Sequence, residues 1–188
     1  MLEPIGSVEE FYAHALAIER EAAQCYRRFQ EHFADHGEEV LAGLCGNLAH
    51  FEEDHHKLLL ERSRSLKLPE LPPERYRWLE SGPPEAADSD LVFRLATPRE
   101  LLEIALKAER NARRFFEWAA GTTANGEIHA LAEEMAREEA EHVQWVTRAI
   151  EYVRADGVDW EKLLAAGGGP GLALGGERRM RKGPPPAK

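Results

Sequence analysis

The sequence predicts an all-α fold, an antiparallel four-helix bundle with a long crossover between its second and third helices. Apolar residues recur at spacings of three and four over four long stretches, which is the period of a helix with one buried face. A proline-rich stretch, residues 63–96, separates the second of these stretches from the third. The halves on either side of it resemble each other in sequence, as two related helix pairs would.

The first helix is expected from Ser7 to about Ala34. Ser7 and Glu10 have the spacing of a capping box, in which the serine hydroxyl accepts from the backbone of the first turn and the glutamate reaches back to the serine. The residues on its predicted inward face are Ala15, Ile18, Glu19, Ala22, Tyr26 and Phe29.

The second helix is expected after Gly37, from about Glu38 to Arg62. Its inward face continues at alternating spacings of three and four residues, which predicts burial of one side along its whole length. The residues on that face are Leu41, Leu44, Leu48, Glu52, His55 and Leu59.

Five prolines between residues 63 and 96 exclude a continuous helix there. A connection of this length is too long for a tight turn, so we expect it to run the length of the bundle and to start the third helix at the other end. Tyr76, Trp78 and Leu79 are expected to fasten it against the helices.

The third helix is expected to begin with Thr97 as N-cap and Pro98 at the first helical position, and to end near Gly121. Its inward residues are Leu102, Ala105, Glu109, Ala112 and Phe116.

The fourth helix is expected from about Glu127 to Arg154. Its inward residues are Ile128, Leu131, Met135, Glu139, His142, Val146 and Ile150.

Residues 1–166 are predicted to form one domain, in which a short helix from Asp159 to Ala166 follows the bundle. Residues 167–188 are rich in glycine and proline and carry a cluster of arginine and lysine. We expect this segment to be a flexible basic tail.

Composition narrows the class of function. The net charge of −10 argues against a nucleic-acid-binding body, because phosphate binding requires a basic face, and it fits a cytoplasmic protein. The chain begins without an apolar export segment, and no apolar run is long enough to cross a membrane. Cys25 and Cys45 do not form a Cys-x-x-Cys motif, which excludes zinc-ribbon and rubredoxin-type sites, and we interpret both as small core residues.

The internal repeat carries the candidate site. Glu19 matches Glu109, 90 residues later, and each is followed by arginine and, three residues on, by alanine. A Glu-x-x-His pair in the second helix recurs 87 residues later in the fourth, and this spacing puts both side chains on one helix face. Bare charges are too costly on inward faces, whereas metal ions would neutralise them. Six residues are therefore predicted to hold two metal ions in the bundle, and these are Glu19, Glu52, His55, Glu109, Glu139 and His142.

Carboxylate and imidazole ligands suit iron or manganese. Other acidic and histidine residues are interpreted as solvated. Four of them lie about 100° from the inward stripe, namely Glu53, His56, Glu138 and Glu141. Five further histidines are also expected to face solvent, and these are His14, His32, His36, His50 and His129.

The motifs Glu19-x-x-Ala22-x-x-x-Tyr26 and Glu52-x-x-His55, with Glu109-x-x-Ala112 and Glu139-x-x-His142, resemble the diiron domain of the rubrerythrin family. The similarity spans residues 7–154 and implies a ferritin-like bundle with two iron ions at the six ligands. It further implies oxidation of a diferrous pair by peroxide or dioxygen, an external electron donor that restores it, and a homodimer. Tyr26 is then a candidate catalytic residue that hydrogen-bonds a ligand or intercepts a radical, although tyrosine is also common at core edges.

The sequence departs from the family pattern at two positions and in one domain. Ala112 stands where rubrerythrins have an additional glutamate, and Phe116 stands where the first half has Tyr26. A rubredoxin-like electron-transfer domain is also lacking in this sequence. Two alternatives to a peroxide reductase therefore stay open: an oxygen-activating hydroxylase, and a non-enzymatic iron-binding or storage protein.

Overall fold

Four long helices form the fold in the computed structural model, which describes residues 3–72, 75–79, 84, 97–154 and 157–158. They are α1 Val8–Asp35, α2 Glu39–Ser63, α3 Pro98–Thr122 and α4 Gly126–Glu151. Short loops join α1 to α2 and α3 to α4, and each of these antiparallel pairs packs along its length. The predicted all-α four-helix bundle is confirmed.

The helix starts follow from their capping residues. The Ser7 hydroxyl accepts from the Glu10 amide at 3.1 Å, and Thr97 does the same for the Glu100 amide at 3.3 Å. The Glu10 carboxylate accepts from the amide of Gly6 rather than of Ser7, so the predicted capping box is displaced by one residue. Gly37 takes a left-handed φ of 75° in the turn after α1, a conformation that glycine adopts without strain.

Two apolar clusters fill the bundle. One contains Tyr26, Phe29, Leu48, Leu102 and Val146. The other contains Phe11, Ile18, Phe115, Phe116 and Ile128. Aromatic contacts join the two helix pairs, since Phe11 on α1 lies 6.0 Å from Phe116 on α3 and Phe51 on α2 lies 5.0 Å from Trp145 on α4, between ring centroids.

The crossover is fastened at one point by a buried histidine. His14 is fully buried, so its predicted exposure to solvent is wrong. Its Nδ1 lies 2.8 Å from the Glu10 carbonyl oxygen, and its Nε2 accepts from the Arg77 amide at 3.0 Å. The rings of Tyr76 and Trp78 lie against it, and Trp78 and Leu79 also pack on the second apolar cluster, as expected for the crossover. A helical pattern alone misses this burial because the covering residues come from the crossover.

The fourth helix is shorter than predicted. It ends at Glu151 rather than at Arg154, and a small antiparallel hairpin follows, formed by β1 Val153–Arg154 and β2 Gly157–Val158. The predicted helix at 159–166 and the predicted tail at 167–188 lie outside the described residues. Within the described ranges, no helix combines the length and the apolarity that a membrane span requires.

Candidate metal centre

The six predicted ligands converge in the middle of the bundle. Helix α1 supplies Glu19 and α3 supplies Glu109, while α2 and α4 each supply a glutamate and a histidine one turn apart. The carboxylates are almost completely buried, with exposed fractions of 1% for Glu19, 3% for Glu52, 4% for Glu109 and 1% for Glu139. Four helices thus bring acidic side chains into a space that the apolar clusters close off.

The ligands form two triads that follow the internal repeat. Within each triad the candidate donor atoms lie within 4.8 Å of one another, and the triads are Glu19, Glu52, His55 and Glu109, Glu139, His142. In the first, His55 Nδ1 lies 3.5 Å from Glu19 Oε2 and 3.6 Å from Glu52 Oε2. In the second, His142 Nδ1 lies 3.3 Å from Glu109 Oε2 and 3.2 Å from Glu139 Oε2.

The two triads are adjacent. The imidazole rings of His55 and His142 are stacked with a centroid distance of 4.4 Å and an angle of 1° between their planes. Charge also acts between the triads, since His142 helps to lower the pKa of Glu52 and Glu19 helps to raise the pKa of Glu139. The arrangement is that of one centre with two halves rather than of two separate sites.

The ionisation of these groups reflects burial and mutual contact. Burial raises the pKa of Glu19 to about 7 and the pKa of Glu139 to about 8. Burial alone would raise the pKa of Glu52, but the close contact with His55 and the charges of both histidines outweigh burial and lower it. Burial likewise opposes protonation of His55, yet its close contacts with the carboxylates of Glu19 and Glu52 raise its pKa to about 10. The pKa of His142 is raised well above the ordinary value, against the effect of burial, by Glu139 and Glu109.

The residues present fit a pair of metal ions. Four buried carboxylates without a counterion would be costly, and protons shared with two histidines offset that cost only in part. His55 Nδ1 and Glu109 Oε2 make no hydrogen bond among the described residues. Their nearest charged partners lie at ion-pair distances of 3.3–3.6 Å. Oxygen and imidazole nitrogen donors, with no sulfur among the six residues, favour iron or manganese.

Comparison with known proteins gives the family. A sequence model of the Rubrerythrin family matches residues 100–162. An uncharacterized conserved protein from Magnetospirillum magnetotacticum MS-1, solved as a crystal structure at 2.00 Å resolution, is 33% identical. The match covers 79% of this chain and 97% of that one, with a TM-score of 0.60. The chain belongs to the rubrerythrin family. No curated protein matches it significantly.

Rubrerythrin family membership confirms the predicted resemblance, and the positions that depart from the family pattern lie in the core. Ala112 is fully buried in the second apolar cluster, and so is Phe116. Tyr26 is 2% exposed and lies in the other cluster, with its ring 6.4 Å from that of Phe29. Tyr26 and Phe116, which correspond in the repeat, therefore occupy opposite apolar layers.

The residues interpreted as solvated divide into two groups. Glu141 is exposed, and Glu53 is about one third exposed while it pairs with Arg27 through two contacts of 2.7 and 2.8 Å. Glu138 differs, since its Oε1 atom is buried and has no hydrogen-bond partner among the described residues. Burial raises the pKa of Glu138. Glu138 is therefore half-buried rather than fully solvated as predicted, and no feature of the fourth helix taken alone indicates the burial of its Oε1 atom.

Proposed function

We propose that this rubrerythrin-family protein is a non-haem diiron oxidoreductase that reduces peroxide, or oxidises ferrous iron with dioxygen, at the six-residue centre. The observation that supports this function best is the stacking of two buried Glu-Glu-His triads against each other. A single triad would support metal binding of any kind, whereas two adjacent triads support chemistry that needs two metal ions together.

The six residues contribute charge and position. Four carboxylates carry the charge that neutralises two divalent cations, so a filled centre is neutral inside an apolar bundle. Bound iron would supply the two electrons that convert one peroxide and two protons into two waters. Glu19 and Glu139, whose pKa values are about 7 and about 8 without metal, would give up their protons when ions bind, so the protons for the reaction come from solvent or from a side chain that is not a ligand.

Tyr26 is proposed as a further catalytic residue on the side of the first apolar cluster. It follows Glu19 by seven residues, about 10 Å along α1 at about 1.5 Å per residue. Its role is tested by Tyr26→Phe, which should leave metal binding intact and slow the peroxide-driven oxidation by about a hundredfold, the lower end of the effect expected when one positioned proton donor is lost.

Three further features complete the proposal. The protein is expected to take electrons from an external donor, because none of the six ligands is redox-active. It is expected to act in the cytoplasm as a homodimer, which light scattering combined with size-exclusion chromatography would test. Hydroxylation and iron storage are the alternatives, and the following experiment distinguishes peroxide reduction from chemistry with dioxygen and from storage.

The test starts with metal-free protein loaded with ferrous iron under anaerobic conditions. Two ions per chain are expected, and peroxide should then oxidise them faster than dioxygen does. Faster oxidation by dioxygen would favour ferroxidase or hydroxylase chemistry, and slow oxidation by both would favour storage. Glu52→Gln combined with Glu139→Gln should abolish binding, while Glu141→Gln removes the same kind of charge from an exposed position of α4 and should bind two ions.

A further inference from the structure

The seam between α2 and α4 has two ends that the internal repeat makes equivalent. The pseudo-twofold relation between the halves exchanges α2 and α4, so each residue at one end of the seam corresponds to a residue 87 positions away at the other end. Arg62, Glu134 and Glu138 at one end thus correspond to Ala149, Asn47 and Phe51 at the other. The two ends correspond in sequence position, but Arg62 and Glu138 are charged where Ala149 and Phe51 are apolar.

The apolar end of the seam is closed by aromatic packing. Phe51 and Trp145 meet edge to face, with centroids 5.0 Å apart and an angle of 81° between their planes. Trp145 is 4% exposed and Ala149 is completely buried. Asn47 is exposed at this end, and the packed rings of Phe51 and Trp145 lie in the seam below it without any charged group.

The polar end of the seam leads from solvent towards the histidine ligands. Arg62 on α2 donates to Glu134 Oε1 on α4 at 2.8 Å. The exposed side-chain fractions fall inward, from 29% for Glu134 and 23% for Arg62 to 12% for His55 and 8% for His142. Of the two ends of the seam, this one therefore carries charged groups in the described residues from the surface to the ligands.

Glu138 lies between the Arg62–Glu134 pair and the histidine ligands. It precedes His142 by four residues, so both side chains project from the same face of α4 one turn apart. The buried Oε1 atom of Glu138 has no hydrogen-bond partner among the described residues, whereas Glu134 is held by Arg62. A buried carboxylate oxygen without a partner destabilises the fold unless the group serves another purpose. The equivalent Phe51 shows that the repeat itself does not require a polar residue at this position.

We propose that Glu138 is a transit ligand, which takes a divalent cation from solvent at the polar end of the α2–α4 seam and passes it to the two triads. This inference rests on the proposed function, because it presupposes that the triads bind metal. A carboxylate oxygen suits a hard cation such as Fe²⁺ or Mn²⁺, and its negative charge raises the local cation concentration. Glu138 is not one of the six resident ligands, so its loss changes how fast metal arrives and not how much is held.

The test measures the rate of metal uptake by metal-free protein with Co²⁺ as the probe, followed by its visible absorption in a stopped-flow instrument. Glu138→Gln keeps the shape of the side chain and removes its charge, and it should slow uptake by about tenfold, the lower limit of electrostatic effects on association rates. The variant should still bind two ions per chain at equilibrium. The matched control is Glu141→Gln, which removes a charge from an exposed position that also adjoins a ligand and should change the uptake rate by less than about twofold.

Three outcomes would contradict the transit role. Equal rates for Glu138→Gln and Glu141→Gln would show that only the overall charge matters. A loss of bound metal in Glu138→Gln at equilibrium, with an unchanged thermal melt, would make Glu138 a resident ligand instead. A lower thermal melting temperature with unaltered uptake would make it a structural residue. If the unmodified protein takes up no Co²⁺, Fe²⁺ or Mn²⁺, the proposed function itself fails, which is a different result from each of these.

Discussion

His55 and His142 stack face to face at 4.4 Å between ring centroids, although they belong to different halves of the chain. Each ring also contacts two carboxylates of its own triad through Nδ1. The carboxylates raise the pKa of His55 to about 10 and that of His142 well above the ordinary value, and the two stacked rings are therefore cationic at neutral pH in the absence of metal. Metal binding must displace these protons, because only neutral imidazole coordinates a metal ion.

The first prediction follows from those protons. Binding of two divalent ions at pH 7 should release about two or more protons per chain, from the histidines and in part from Glu19 and Glu139. The apparent metal affinity should accordingly increase between pH 6 and pH 8. Isothermal titration calorimetry in buffers of different ionisation enthalpy measures the number released. Binding that is independent of pH would show that the ions lie elsewhere.

The second prediction concerns the contribution of metal to stability. Because the candidate metal-binding residues are distributed over all four helices, ions that bind the folded state alone should stabilise the whole bundle. Removal of metal with a chelator should lower the melting temperature by well over about 5 °C, a shift that corresponds to about 1–3 kcal/mol for a chain of this size. Circular dichroism measures it. The variant with Glu52→Gln and Glu139→Gln is the control, and its melting temperature should not respond to the chelator.

The third prediction is a decline in the stability of the metal-free protein as the pH rises. The pKa values of Glu19 and Glu139 rise from 4.5 to about 7 and about 8 on folding, so the folded state binds more protons than the unfolded state in that window, and stability falls as pH rises through it. The pKa of His55 rises from 6.5 to about 10, so its stabilisation is present below 6.5 and is lost as pH rises through about 10. The lowered pKa of Glu52 acts in the opposite direction only below 4.5.

Urea denaturation of metal-free protein at several pH values between 5 and 9 measures this decline. The same series on metal-loaded protein should show no such decline, because bound ions keep the carboxylates ionised and the histidines neutral. Its stability should instead increase up to about pH 7, where the histidines of the unfolded chain have lost their protons. A metal-free protein whose stability increases from pH 5 to pH 9 would contradict the ionisation states described for the two triads.

The sequence predicts the bundle and the six convergent residues well because both depend on local periodicity and on a repeated motif. Glu19 and Glu139 lie on helix faces otherwise occupied by alanine, leucine and methionine, and the helical period alone carries them inward. The burial of His14 and Glu138 depends instead on residues distant in sequence. His14 is covered by the crossover near Arg77, and Glu138 lies in a seam whose other wall is α2. Neither the crossover as the cover of His14 nor α2 as the neighbour of Glu138 can be assigned from the pattern of one helix.

The end of α4 cannot be predicted from the helical pattern for a related reason. Tyr152, Val153 and Arg154 continue an acceptable helical pattern, but the chain turns at Tyr152 and Val153 pairs with Val158 across a short hairpin. Pairing between two short strands depends on a tight turn and on packing against the bundle rather than on the period of the helix. Val153 packs on the first apolar cluster, which gives the hairpin its attachment.

The last prediction concerns the link between the crossover and the bundle. His14→Ala removes the hydrogen bond to the Glu10 carbonyl, leaves the Arg77 amide without its acceptor and empties the space between Tyr76, Trp78 and Phe115. The loss should be about 2–4 kcal/mol of unfolding free energy at pH 8, the size typical of a buried polar group removed from a packed core. His50→Ala is the matched control, because the His50 side chain is 61% exposed, and it should change stability by less than about 0.5 kcal/mol.

The loss of unfolding free energy caused by His14→Ala should depend on pH. Burial lowers the pKa of His14, with Arg77 acting in the same direction and Glu10 against it, so the unfolded chain takes up a proton below 6.5 that the folded chain excludes. The stabilisation by His14 is complete above 6.5 and declines as the pH falls towards the lowered value, so His14→Ala should cost less at pH 5 than at pH 8. Urea denaturation at the two pH values compares them. An equal loss of stability at pH 5 and pH 8 would mean that the His14 ring is not held neutral. Its Nε2 could then not accept the hydrogen bond from the Arg77 amide.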